Sequence, residues 1–179
     1  MKKHIWTYGL IGGAIMSLML ALSLPFIDRI GFEHGALLGY TSMVLAFLTI
    51  YFGVRSYRDQ VAGGSIGFGR SLLVGFLIML VASSCYVATW QVVYRGFMPD
   101  FDEKFIRYQL DQSRQAGASA AELAQAEQEL TAFFEMYQNP WVSSAITFLE
   151  PLPVGLFFVF GSAFVLSRRR AGSSTAGPG

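Results

Sequence analysis

Four long stretches of the chain, residues 6–27, 35–54, 71–94 and 141–166, run almost without interruption through apolar positions. Polar and charged positions gather between them, at 28–34, 55–70 and 95–140. The apolar runs are continuous and lack the alternation that marks the strands of a membrane barrel. About 20 such residues cross a hydrocarbon core of about 30 Å as a helix, and a helix satisfies its own backbone in lipid. The pattern predicts an all-α, polytopic membrane protein with four transmembrane helices at about those four positions. Residues 1–170 then make one membrane domain, with a disordered tail at 171–179.

The longest polar segment has a pattern of its own. Phe105, Tyr108 and Gln112 share one helical stripe across residues 102–115, with Ile106 and Leu110 beside it. Gly117 ends that helix, and Ser119-Ala120-Ala121-Glu122 reads as a capping box that starts another. Leu123, Leu130, Phe133, Phe134 and Tyr137 follow at helical spacing until Asn139-Pro140 stops the run. The prediction is an amphipathic helical hairpin over 101–139, standing outside the membrane between the third and fourth spans. A piece this short holds little core of its own, so it is expected to rest on the membrane helices.

Composition agrees with the pattern: 53% of residues are hydrophobic and 14% charged, against roughly a quarter charged in ordinary soluble domains. The net charge of +1 hides a strong segregation. Lys2, Lys3, Arg55, Arg58, Arg70 and the arginines at 168, 169 and 170 fall on one side of the four spans. Arg29, Arg95, Lys104, Arg107 and Arg114 fall on the other, together with most of the acids. The positive-inside bias predicts that both termini and the 55–70 loop are cytoplasmic. The 28–34 turn and the hairpin then face outward. Lys2-Lys3 and Ala21-Leu22-Ser23 superficially fit a cleavable signal, but the apolar run is longer than a signal core, so a retained first span is expected. The glycines of the 55–70 loop lack the Lys-Ser/Thr of a phosphate-binding loop and read as a flexible turn. Cys85 stands alone, and His4 and His34 lie on opposite sides, so neither a disulfide nor a metal site is expected. No cofactor and no nucleic-acid partner is expected either.

Glu150 is the one charged residue inside the four apolar stretches. An ionisable group at such a depth is costly and is a functional candidate by default. Nine residues from Trp141, it lies about 13–14 Å along a helix from the interface. The same depth on the antiparallel third helix falls near Cys85, where Ser83, Ser84, Tyr86 and Thr89 offer hydroxyls. Without a cation at that level, burial favours the neutral carboxylic acid. Pro151 and Pro153 follow directly and free carbonyls one turn earlier, as in the discontinuous helices of transporters. Two geometries fit: a kinked full-length helix with Glu150 as a hydrogen-bonded structural group, which is favoured, or a helix that starts at Pro151. Small residues four apart, at Gly9/Gly13, Gly35/Gly39 and Ser71/Gly75, suit close packing within the bundle. Trp6, Tyr8, Trp90, Tyr94 and Trp141 fit two interfacial aromatic belts.

The segments SIGFGRSLLVGF, YVATWQVVYRGFMPDFDEKF and FLEPLPVGLFFVFGSAFVLSRRR, after an N-terminal Lys-Lys, resemble the bacterial membrane family known as domain of unknown function 4199. The resemblance spans roughly residues 1–170. It implies a four-helix bacterial inner-membrane protein and brings no activity, ligand or catalytic residue. It singles out Tyr94, Pro99, Asp100, Phe101 and the Glu150-Pro151 pair as positions for test. No nucleophile–base arrangement is visible. Three readings remain: a non-enzymatic association or scaffold protein that holds a partner through the hairpin, a small oligomeric transporter or channel using Glu150, and, least favoured, a membrane enzyme.

Overall fold

A computed structural model describes residues 1–167, the side chains of 27–30 excepted. The arginines at 168–170 and the expected tail at 171–179 lie outside the described residues. The order is α1 (Lys2–Ser23), a 3-10 turn (Leu24–Phe26), α2 (Ile27–Gln60), α3 (Phe68–Phe97), α4 (Phe101–Gln115), α5 (Ala120–Tyr137), α6 (Pro140–Leu149) and α7 (Leu152–Ser167). Three helices, Lys2–Phe26, Gly31–Gln60 and Phe68–Phe97, are long and apolar enough to cross a membrane. The pair α6 and α7, which meet at a 42° bend, is a candidate fourth crossing. The chain is thus an all-helical, polytopic membrane protein, and α4 and α5 form a hairpin between its third span and the α6–α7 pair. We call the end that carries this hairpin the cap end, and the other the basic end.

Four expectations change. The turn expected at 28–34 is mostly helix: α2 begins at Ile27 and is broken only at Gly31 (φ 71°, ψ 171°). That left-handed φ is readily reached without a Cβ, so the reversal after α1 needs one glycine and the 3-10 turn at Pro25. Secondly, α2 runs on to Gln60 and α3 starts at Phe68, so the loop at the basic end shrinks to Val61–Gly67. Thirdly, the favoured kinked helix is present in a sharper form: the segments on both sides are helical and meet at a 42° bend, with the helix interrupted at Glu150-Pro151 rather than continuous through it.

The fourth concerns glycine packing. A Cβ on Gly13 would stand 2.5 Å from the Cβ of Cys85, and one on Gly9 would stand 2.6 Å from that of Val81. Both contacts are with α3, so α1 and α3 approach as closely as their backbones allow, as small residues permit in lipid. Gly35 and Gly39 have nothing within 4 Å of such a Cβ. Sequence spacing is the same for both pairs; the difference is that the stretch of α2 around Gly35 and Gly39 carries exposed side chains, with Leu37 65% and Tyr40 51% exposed.

Inside the bundle, Met16, Met43, Phe47, Ile50, Ile78, Met79 and Val159 from α1, α2, α3 and α7 make one continuous core. Large apolar side chains such as Leu22, Phe157, Phe160 and Phe164 cover its outside. In water such a surface would be a liability, and in lipid it is the natural exterior. His4 Nε2 and Gln60 Oε1, 3.2 Å apart, close the basic end by joining the start of α1 to the end of α2.

The close α1–α3 approach predicts an asymmetric glycine response. Gly13→Ala forces α3 away or strains Cys85, an overpacking cost of about 1–3 kcal/mol. Gly39→Ala meets no atom and leaves stability unchanged. Thermal unfolding of the two variants in detergent measures the contrast.

Candidate functional site

Tyr86, Trp90, Gln91, Tyr94 and Arg95 follow one another at helical spacing on the cap-end half of α3, so they share a face. Deepest of these, Tyr86 Oη donates to Glu150 Oε2 at 3.0 Å. One turn nearer the cap, Trp90 Nε1 donates to Tyr137 Oη at 2.9 Å, and that hydroxyl lies 2.8 Å from Thr147 Oγ1. Gln91 Nε2 donates to Ser143 Oγ at 3.0 Å. Tyr94 Oη donates to Asp102 Oδ1 at 2.6 Å, and Gln138 Nε2 donates to Asp102 Oδ2 at 2.7 Å. Arg95 Nη2 finishes the row on the carbonyl oxygen of Gln138 at 3.1 Å. One face of α3 therefore bonds to the start of α4, the end of α5, α6 and the α6–α7 break.

Aromatic rings fill the space between these bonds. Tyr94, Phe134 and Tyr137 are buried, with Trp90, Phe101, Phe105 and Ile146 packed around them. Phe101 meets Trp90 edge-on with ring centres 5.5 Å apart, and Phe105 meets Phe134 at 5.7 Å. Phe32 adds α2 to the assembly, touching Phe101, Phe105 and Tyr108 at 5.7, 5.4 and 5.2 Å. Such ring pairs each add about 0.5–1.5 kcal/mol beyond their area. The hairpin, too small for a core alone, completes one with side chains of α3.

The far tip is held by the expected capping box. Ser119 Oγ accepts from the Glu122 backbone N–H, and Glu122 Oε2 accepts from the Ser119 N–H at 2.7 Å. The Ser119 amide, and then its hydroxyl at 2.8 Å, hold the Glu122 carboxyl below the ordinary carboxylate range.

The candidate residues fall into two groups. Pro99, Asp100 and Phe101 line one cleft of about 490 Å³, which also touches Leu24, Phe32 and Arg107. Tyr94 stands beside it, 5.8 Å from the Phe101 ring. Glu150, Pro151 and Pro153 lie at the other end of the polar row. Pro151 is buried and Pro153 exposed in the first turn of α7. Glu150 was expected to be buried; it lies exposed on the flank of the helices, with a part-buried bond to Tyr86. The break before Pro151 ends α6 just there, which leaves the residue without cover on one side. The hydroxyl partner expected from depth is present, and it is Tyr86.

Trp90 and Tyr94 are not free belt residues, since both are engaged in the cap. Tyr8 packs against the bundle core, whereas Trp6 and Trp141 are 57% and 85% exposed, as belt positions require. Sequence reasoning passed over Asp102, Gln138, Gln91 and Phe32. Polar and aromatic residues recurring along one face of α3 were the available signal for Gln91, whereas Asp102 and Gln138 lie on other elements and had no local one. Phe32 had none, because the segment that holds it read as a turn.

Two expectations follow. Glu150→Gln keeps a carbonyl oxygen for Tyr86, so stability holds; Glu150→Leu strands that hydroxyl at a cost of about 1–3 kcal/mol, read as a fall in detergent unfolding temperature. The Glu122 carboxyl, held low in the folded chain, stabilises α5 above the ordinary carboxyl value. That contribution is lost as pH falls through its folded value. The protection factor of amides at the start of α5, exchange corrected for its intrinsic pH dependence, should fall on acidification in the native chain and show no such step in Glu122→Ala.

No curated protein and no solved structure matches the chain. Residues 7–168, nearly its whole length, match the family described as Protein of unknown function (DUF4199). The chain belongs to that family.

Proposed function

We infer that this is a non-enzymatic membrane protein that works by association, presenting the α4–α5 cap to a protein partner. The observation that carries the reading is the outward face of α5. Glu129, Phe133 and Met136 follow one another at i, i+4 and i+7 and share a face. Phe133 is 36% and Met136 58% exposed, while the neighbouring Phe134 and Tyr137 are buried toward α3, with Tyr137 stacked on Phe133 at 5.7 Å. Apolar side chains ringed by acids, on a helix whose other face is pinned, form a preorganised docking surface. The partner such a face suits has apolar side chains with basic neighbours. The distribution of lysine and arginine supports both termini inside and the cap outside, and the resemblance to the family implies the inner membrane of a bacterium.

The helix break at Glu150 favours a second reading, an oligomeric transporter or channel in which this carboxyl lines a polar path. The bond to Tyr86 supports the structural role instead.

Photoreactive residues placed at Gln125 and Glu129 in the full chain test the first reading in cells. Adducts with one discrete protein, lost on Met136→Lys, are expected. Cap positions that yield only lipid or no adducts would overturn it. A proton- or cation-driven flux in proteoliposomes that vanishes with Glu150→Gln would establish the second reading.

A further inference from the structure

The cleft at the cap end carries an inference independent of the α5 face. It lies where Leu24 at the end of α1, Phe32 near the start of α2 and Phe97 at the end of α3 come together beneath α4. All three crossings end there, so the cleft sits at the level where hydrocarbon gives way to head groups. Its volume of about 490 Å³ is in the range of small-molecule sites. Its floor is apolar, and Phe97 is 68% exposed, so the cleft continues onto the lipid-facing surface.

Its rim is charged with both signs. Asp100 is the N-cap residue of α4, yet its side chain makes no capping bond. An aspartate there ordinarily accepts from the first amides of its helix. This one lines the cleft. Arg107 lines it too, and follows seven residues later on α4, about 10.5 Å along the axis and within reach of an arginine side chain. Its ion pair with Glu103, at 2.8 Å, is formed by side chains 69% and 75% exposed. Exposed pairs of this kind contribute little and exchange readily for a better anion. Lys104 and Asp111 also line it, the latter paired with Arg114 at 2.7 Å. Both signs of charge thus stand beside apolar side chains at the depth of the head groups, and Asp100 and Arg107 are the carboxylate and guanidinium the ligand meets.

We propose that this cleft binds a zwitterionic phospholipid of the cap-end leaflet whose head group carries a primary ammonium. The ammonium donates to Asp100, the phosphate accepts the guanidinium fork of Arg107, and an acyl chain leaves over Leu24 and Phe97. A primary ammonium has three donors for the carboxylate, whereas a quaternary one has none and a glycerol head brings no positive charge.

The test uses the full chain in nanodiscs of equal phosphatidylethanolamine, phosphatidylglycerol and phosphatidylcholine, with retained lipid read by native mass spectrometry. One phosphatidylethanolamine per chain is expected, favoured about tenfold over the other two, as one charge-assisted hydrogen bond provides. Asp100→Asn should abolish that preference, and Arg107→Gln should lower retention of all three lipids. Glu127→Gln, on α5, should change neither. Circular dichroism of each variant checks folding, and if Arg107→Gln unfolds, Arg107→Lys, which keeps charge without the fork, takes its place. Equal retention of the three lipids, a preference for phosphatidylglycerol, or retention indifferent to both substitutions would overturn the proposal. So would displacement of the lipid by micromolar phosphoethanolamine, which would assign the site to a soluble head group.

Discussion

A hydrogen-bonded clamp along one face of α3 governs everything at the cap end of this molecule. The bundle core stops short of the cap, and α4 contributes no buried residue of its own. What fixes the cap is the succession Tyr86, Trp90, Gln91, Tyr94 and Arg95: Tyr94 bonds to the start of the hairpin at Asp102, and the others bond to the chain that returns from it. Near the edge of a membrane such bonds compete less with water than surface bonds do, so satisfied networks there give rigidity and a single arrangement. The rings of Phe32, Phe101, Phe105 and Phe134 then close the gaps between them.

The clamp links the two groups of residues that otherwise look unrelated. Thr147 lies one turn before Glu150 on α6 and shares the Tyr137 hydroxyl that also receives the Trp90 N–H. The broken α6–α7 pair and the cap are therefore neighbours in one polar assembly. Glu150, whether it serves structure or ion handling, sits at the deep end of that assembly. The cleft and the exposed Phe133 and Met136 of α5 sit at the cap end. A cap held this way can present both surfaces in a constant orientation to the membrane, which suits an association role better than a loose loop would.

Much of the fold was legible in the chain. The first three apolar stretches needed only the thickness of a bilayer to be read as spanning helices, the fourth forms a bent helix pair, and Ser119-x-x-Glu122 announced the start of α5 through local chemistry alone. Depth arithmetic brought Glu150 to the level of the α3 hydroxyls, because antiparallel helices leave little choice about who meets whom. The arrangement of neighbours was harder to see. Gly9/Gly13 and Gly35/Gly39 have identical spacing, and only the tertiary arrangement decides that a Cβ on the first pair would meet α3 and one on the second would meet nothing within 4 Å. The segment at 28–34 read as a turn because its glycine and acids match turn composition, while the true reversal uses Pro25 and a single left-handed glycine. The Tyr94–Asp102–Gln138 contact joins residues from three elements, so no local pattern could reveal it.

The central claim is that the α3 face immobilises the cap on the bundle. Electron–electron double resonance between spin labels at Gln125 on α5 and Ala36 on α2, in a chain with Cys85→Ala, measures this directly in lipid. The account predicts one narrow distance distribution, which broadens when Trp90→Phe and Tyr94→Phe are combined. A broad or multi-peaked distribution in the otherwise native chain, or one that the double substitution leaves narrow, would contradict it.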